Sequence, residues 1–210
     1  MNAIEMIEGH LQESAAVKQR LARVAAPAIA EAGQRIAERV AGGGKIMLCG
    51  NGGSAADSQH LAAEFTNRLR SSLERPPIAA LALTTDTSFL TARANDYGFV
   101  EVFERLVEGL GRSGDVLISI STSGNSGNVI RAVESCRAKD ILTVGMLGGS
   151  GGELARLVDI PIIVPSDNTQ FIQESHIAIG HIICELVEET LYGGRSSEFF
   201  SFTTQEAYKR

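Results

Sequence analysis

Hydrophobic residues recur with a helical period over the first forty residues. Ile4, Ile7 and Leu11 are three and four positions apart, and similar spacing continues until three consecutive glycines begin at Gly42. The pattern predicts helices within residues 3–41, with Pro27 marking a kink or a break between two of them. Because these helices precede every predicted strand, we interpret them as an element for oligomer packing.

Short apolar runs replace the helical pattern after these glycines. The runs are residues 45–49, 78–83, 116–120, 142–146 and 160–164. Segments long enough to form a helix separate them, so they predict parallel strands joined by crossover helices. A last long helix is expected over residues 169–192. The predicted fold class is α/β: a three-layer, doubly wound sandwich around a five-stranded parallel sheet.

The 210 residues suit one domain, which we place at residues 1–194. It divides into a helical element (1–41) and an α/β core (45–192). Hydrophobic residues make up 44% of the chain, which is enough to bury a core and argues against a disordered chain. The tail, residues 195–210, contains three Phe and one Tyr. Two alternatives are open for it: a disordered segment, or one that docks on a neighbouring subunit.

Charge and cysteine content narrow the classes of partner. The net charge of −6 argues against a broad nucleic-acid-binding surface, although backbone amides could still hold a small anion. Three cysteines without a C-x-x-C pair indicate buried, reduced thiols. The N-terminus does not resemble a signal peptide, and no apolar run is long enough to span a bilayer. We therefore expect a cytoplasmic protein without a membrane partner.

Three of the predicted strands end in small, polar, Gly-rich loops, at residues 50–57, 121–126 and 148–152. Small residues let backbone N–H groups approach an oxyanion, and a following helix N-terminus adds partial positive charge. Ligands of parallel α/β sheets bind at the carboxyl ends of the strands. The loops therefore predict a phosphate-ester site, the alternative being that they are ordinary connectors.

The first loop also fits the dinucleotide pattern G-x-G-x-x-A through Gly50, Gly52 and Ala55. A dinucleotide fold places an acidic residue about 20 positions further on. Here the acidic residue after the next strand is Asp86, 36 positions after Gly50. We therefore expect no nucleotide cofactor.

Four polar residues on two predicted helices are candidates for chemistry. His60 and Glu64 are four positions apart on the helix after the first loop, and Gln173 and His181 lie on the last helix. They could act as acid and base or bind a divalent metal, although such a pair is often only a surface hydrogen bond. Gln173 and His181 are separated by a rise of about 12 Å. One metal could bind both only if Gln173 lay at a frayed helix start or if one ligand came from another subunit.

Several segments, taken in order, resemble the phosphoheptose isomerase family. They are residues 50–65, 83–86, 94–98, 114–117, 120–126 and 172–176, followed by His181. The resemblance covers roughly residues 1–193 and implies the sugar isomerase (SIS) fold in a homotetramer with sites at subunit interfaces. Phe171 departs from it, since the family usually has a basic residue there, and Gln170 replaces an acidic residue that some members carry. Both departures bear on substrate preference.

The resemblance implies that the chain isomerises D-sedoheptulose 7-phosphate to D-glycero-D-manno-heptose 7-phosphate. This is the first step towards the nucleotide-linked heptose of lipopolysaccharide core or related surface glycans. The implied sugar-phosphate ligands are Asn51, Gly52, Gly53, Ser54, Glu64, Asn95, Asp96, Ser121, Thr122, Ser123, Ser126 and Gln173.

The resemblance also implies one zinc ion per subunit and an acid/base pair. The implied zinc ligands are His60, Glu64, Gln173 and His181, and the pair is Glu64 with His181. The alternative is a non-catalytic SIS-domain regulator, similar to a branch that associates with the bacterial replication initiator. Members of that branch tend to lack these His and Glu residues, so we favour the enzyme.

Overall fold

The computed structural model describes residues 2–193, which form one parallel sheet with helices on both faces. The strands are β1 (Ile46–Gly50), β2 (Ala80–Ala82), β3 (Val116–Ser121), β4 (Leu142–Gly148) and β5 (Ile160–Val164). The helices are α1 (Ala3–Ala41), α2 (Gly53–Thr66), α3 (Thr87–Tyr97), α4 (Val102–Leu110), α5 (Gly127–Arg137) and α6 (Thr169–Tyr192). The strand order is β2-β1-β3-β4-β5, and every neighbouring pair is parallel. The predicted fold class is confirmed, whereas the tail at 195–210 lies outside the described residues.

Alternating side chains of the central strands build two separate cores. Ile46 and Leu48 of β1 face a cluster with α1, α2 and α6, while Met47 faces a cluster with α4 and α5. Every residue of β1, β3 and β4 is buried, as expected of parallel strands covered on both faces. Within residues 2–193, none of the helices combines the length and hydrophobicity that crossing a bilayer requires.

The expected break at Pro27 is wrong, because α1 is one helix with Pro27 inside it. A proline inside a helix costs about 3 kcal/mol, partly through a lost hydrogen bond to the carbonyl four residues earlier. Pro27 and Arg23 are both exposed, so water can reach that carbonyl. Leu21 and Ile29 are buried on the other side of the helix, and burying two such side chains contributes about 3–6 kcal/mol. Packing therefore outweighs the cost of the proline.

The expectation of buried thiols is confirmed, since Cys49, Cys136 and Cys184 are free and buried. Burial raises the pKa of the Cys136 thiol to about 12 and raises the pKa of the other two as well. The thiols therefore act as small apolar side chains in the core.

Helices α2 and α6 pack unusually closely at Gly180. A Cβ atom on this glycine would lie 2.5 Å from Leu61 Cδ1, and Leu61 is a buried residue of α2. Because Gly180 has no side chain, the two helices can approach each other at this level. His60 and His181 are the sequence neighbours of these two residues.

We expect Gly180→Ala to destabilise the protein by about 1–3 kcal/mol, because the added methyl group must displace buried Leu61. Urea-induced unfolding measures the change. Gly9→Ala is the matched control, since Gly9 is an exposed residue of α1 whose added Cβ would have no neighbour within 4 Å. The control should gain about 0.5–1 kcal/mol from helix propensity. A Gly180→Ala variant as stable as the parent protein would contradict this account of the packing.

Candidate active site

Three of the predicted site residues meet where α2 and α6 pack together. His60 Nε2 lies 2.8 Å from His181 Nε2 and 3.5 Å from a carboxylate oxygen of Glu64. His60 and Glu64 are one turn apart on α2, so their side chains share a face of that helix. The His60 side chain is 48% exposed and that of Glu64 only 20%, so a molecule from solvent could reach the group from one side.

These three side chains have the donor types that suit a metal ion. One ligand atom from each of His60, Glu64 and His181 can be chosen so that all lie within 4.8 Å of one another. Two imidazole nitrogens and one carboxylate oxygen, with room for a further ligand, are a common set for Zn²⁺. The residues present therefore fit a divalent metal of this kind.

Gln173 lies apart from this group, near the start of α2. Its Nε2 would be 2.5 Å from a Cβ on Gly53, the first residue of α2. Along α2 this position is about 16 Å from Glu64. Because Gln173 is the fifth residue of α6, the alternative of a frayed helix start is wrong.

The first Gly-rich loop connects β1 to α2 and is tied to α5. Gly52 has a φ of 56°, a conformation that L side chains rarely adopt. The side chains of Asn51 and Asn128 exchange two hydrogen bonds of 2.9 Å, and Ser54 is buried behind the loop. The sequence reasoning missed Asn128, since nothing in its spacing links it to Asn51.

The second Gly-rich loop, after β3, is held by its own hydroxyl groups. Ser121 Oγ is 3.0 Å from Ser126 Oγ and accepts a hydrogen bond from the Gly124 N–H. A Cβ on Gly124 would lie 2.0 Å from the Gly151 carbonyl, so glycine is needed where the second and third loops touch. The loop is therefore held by hydrogen bonds of its own and by a close backbone contact with the third loop.

A polar cavity of about 270 Å³ opens beside the second loop. It is lined in part by Thr122, Ser123, Gly149, Ser150, Asp167 and Thr169. These residues follow β3, β4 and β5 or begin α6, so the cavity lies at the carboxyl edge of the sheet, where the sequence predicted a phosphate site.

Within residues 2–193, no contact places Asn95 or Asp96 at the carboxyl edge of the sheet. Both are exposed residues of α3, and Asn95 donates a hydrogen bond of 2.9 Å to Asp96. No residue of α3 is buried within the described chain; its Tyr97 leaves 64% of its surface exposed, and Phe99, two residues after the helix, leaves 55%. This helix therefore presents polar and apolar groups that the single chain leaves uncovered.

The departure at Phe171 faces α1. The ring is 8% exposed and lies with its centroid 4.8 Å from that of His10. Gln170 lines an adjoining groove with Met6, His10 and other residues of α1. Both departures from the family pattern thus lie at the packing of α1 on α6.

Comparison with known proteins identifies the family. A family model for the SIS domain matches residues 10–148. The phosphoheptose isomerase of Nitratidesulfovibrio vulgaris is 49% identical over 191 residues, which are 91% of each chain. That of a Roseiflexus species is 52% identical over 182 residues, 87% of this chain and 91% of the relative.

A solved structure agrees in fold and sequence. The phosphoheptose isomerase of Neisseria gonorrhoeae superposes with a TM-score of 0.84 and 42% identity, covering 90% of this chain and all of that one. Such identity over nearly whole chains exceeds what a shared fold alone would give. The chain therefore belongs to the SIS-domain family and, within it, to the phosphoheptose isomerases.

Proposed function

We propose that the protein converts D-sedoheptulose 7-phosphate into D-glycero-D-manno-heptose 7-phosphate. The observation that carries the proposal is the meeting of His60, Glu64 and His181 in a chain about half identical to phosphoheptose isomerases. The regulator alternative is not favoured, because these residues are all present and the similar proteins are named as enzymes. We further propose that the product supplies heptose for lipopolysaccharide or related surface glycans.

The reaction moves a proton between C1 and C2 of an open-chain sugar through a cis-enediol. This needs a base at the carbon and an acid at the oxygens. Glu64 is our candidate for the base, because its partly covered carboxylate is acceptor-only when ionised. His181 is the candidate for the oxygen-bound proton, since a neutral imidazole can both donate and accept.

Binding of the phosphate is assigned to the second loop. Hydroxyls of Ser121, Thr122, Ser123 and Ser126, together with backbone N–H groups, would donate to the phosphate oxygens. Donors of this kind need no net positive charge, which fits a chain of net charge −6. Because Glu64 lies about 16 Å along α2 from the carboxyl edge of the sheet, the loop of one chain would hold the reacting carbons against Glu64 of a neighbouring subunit. Such positioning can supply several kcal/mol of the barrier reduction.

We propose that His60, Glu64 and His181 hold a zinc ion. Because a carboxylate bound tightly to zinc is a poorer base, an ion held through Glu64 would have a structural or regulatory role, joining α2 to α6. Gln173 is the fourth proposed ligand, and its distance from Glu64 along α2 favours the remaining alternative, a ligand from another subunit.

We also propose a homotetramer whose sites lie at subunit interfaces. The uncovered α3 supports this, and so do the exposed apolar residues Ile4, Met6 and Leu11 of α1. An apolar groove of about 320 Å³ between α1 and α6 adds further apolar surface that a neighbouring subunit could cover. In such an assembly, Asn95 and Asp96 of one chain could reach the sugar bound to another.

Glu64→Gln and His181→Ala should each lower kcat by about a hundredfold or more, since each removes a group that moves a proton. The assay is NMR of sedoheptulose 7-phosphate with purified protein, following the new aldose signal. Glu31→Gln, an exposed carboxylate of α1 paired with Arg35, is the control and should keep parental turnover. Near-normal turnover of both site variants would refute the acid/base assignment.

Protein purified without chelator should contain about one zinc ion per chain, measured by elemental analysis. His60→Ala should weaken zinc binding by at least about tenfold, because even loss of a second-shell partner costs that much at such sites. His10→Ala is the matched control, since His10 binds Glu174, which lies about 10 Å along α6 from His181, and should not affect zinc. Equal zinc content in the parent protein and His60→Ala would contradict the proposed site.

A further inference from the structure

Arg75 and Glu188 form an ion pair that is wholly buried. Neither side chain is exposed, and Arg75 Nε lies 2.8 Å from a Glu188 oxygen. Burying two charges costs several kcal/mol per ion unless the pair and its other hydrogen bonds compensate. The remaining contacts of the two side chains suggest what the pair does.

The guanidinium of Arg75 caps α2 at the proposed base. Arg75 Nη2 donates to the Glu64 carbonyl at 2.9 Å, and Nη1 donates to the Pro76 carbonyl at 3.0 Å. Because α2 ends at Thr66, its last four carbonyls lack partners within the helix. A positive charge at this end is also favoured by the helix dipole. Arg75 thus fixes the last turn of α2 at the residue that carries the carboxylate.

Glu188 anchors the same guanidinium to α6. It lies seven residues after His181, which places both on one face of that helix, two turns apart. It also accepts hydrogen bonds from the Leu69 N–H and from Arg70 Nε, each at 3.1 Å. Burial alone would raise the pKa of Glu188, but the hydrogen bonds from Arg75, Leu69 and Arg70 outweigh it, so the pKa is lowered and the group is ionised.

We propose that Arg75, held by Glu188, is a positioning residue that sets the separation between Glu64 and His181. The planar guanidinium of Arg75 bonds the backbone carbonyl of Glu64 on α2 and the carboxylate of Glu188 on α6 at the same time. Arg75 bonds the backbone carbonyl of Glu64 and leaves the carboxylate free, so it would act only through geometry. The inference rests on the proposed function, in which these two residues move the proton.

The test compares Arg75→Met and Glu188→Gln with the parent protein. Removing the hydrogen bonds of the Arg75 guanidinium should let the last turn of α2 shift. A misplacement of about 1 Å can lower the rate a hundredfold. We expect kcat to fall at least about tenfold while KM changes by less than about threefold, since the hydrogen bonds described for the pair go to residues 64–76 and none goes to the proposed phosphate loop. Arg75→Lys should restore kcat only in part, because one ammonium group cannot reproduce the hydrogen bonds of the guanidinium to Glu188, Pro76 and Glu64.

Lys45→Met is the matched control for a lost ion pair. Lys45 pairs with the buried Asp115 beside the amino end of β1, away from α2 and α6. The control should lose stability in thermal unfolding yet keep the parental kcat. Amide hydrogen exchange gives a measurement that does not depend on activity. The amides of residues 64–66 should exchange faster in Arg75→Met than in the parent protein, and at the parental rate in Lys45→Met.

The two proposals fail in different ways. A parent protein that forms no aldose refutes the proposed function, whatever the variants do. Parental kcat in both Arg75→Met and Glu188→Gln, with unchanged exchange at residues 64–66, overturns the positioning role. An equal fall of kcat in Lys45→Met also overturns it, because the effect would then follow stability alone. Should Arg75→Met fail to fold, Arg75→Lys and Glu188→Gln decide by the same measurements.

Discussion

The close packing of α2 against α6 is the constraint on which the candidate site depends. Two contacts follow one another in the same order along both helices, Gly53 with Gln173 and Leu61 with Gly180, and a third, Leu69 with Glu188, follows just after the end of α2. The helices therefore run side by side in one direction, and glycine at the middle contact allows them to touch. His60 and His181 meet beside that glycine because they are the neighbours of the residues in contact.

The proposed acid/base group and the proposed phosphate site lie in different parts of the chain. The imidazoles and carboxylate of the proposed acid/base group lie on α2 and α6, whose positions are fixed by the core they share with α1 and by a buried ion pair. The proposed phosphate donors lie in loops at the carboxyl edge of the sheet, where backbone amides and hydroxyls can bind an anion. An acidic chain can thus bind an acidic substrate, because the donors are local and need no positive surface.

The sequence predicted what depends on local pattern. The apolar runs located the five strands, and periodicity located α6 at its observed bounds, residues 169–192. The spacing of His60 and Glu64 predicted their shared face, because helix geometry determines it. The break at Pro27 was wrong because tertiary packing outweighed a local rule. Arg75 and Glu188 could not be paired from the sequence, since 113 residues separate them and nothing in the pattern links them.

The central claim is that Glu64, beside His181, takes a proton from C1 of the sugar and returns it to C2, with an enediol as the intermediate. Isomerisation of sedoheptulose 7-phosphate in D₂O, followed by NMR or mass spectrometry of the heptose product, tests this most directly. Because the Glu64 side chain is 20% exposed, a proton held there can exchange with solvent, and the account predicts deuterium bonded to C2 of the product. A product formed at the full rate without deuterium at C2 would contradict it, since a direct hydride shift between the carbons requires no base.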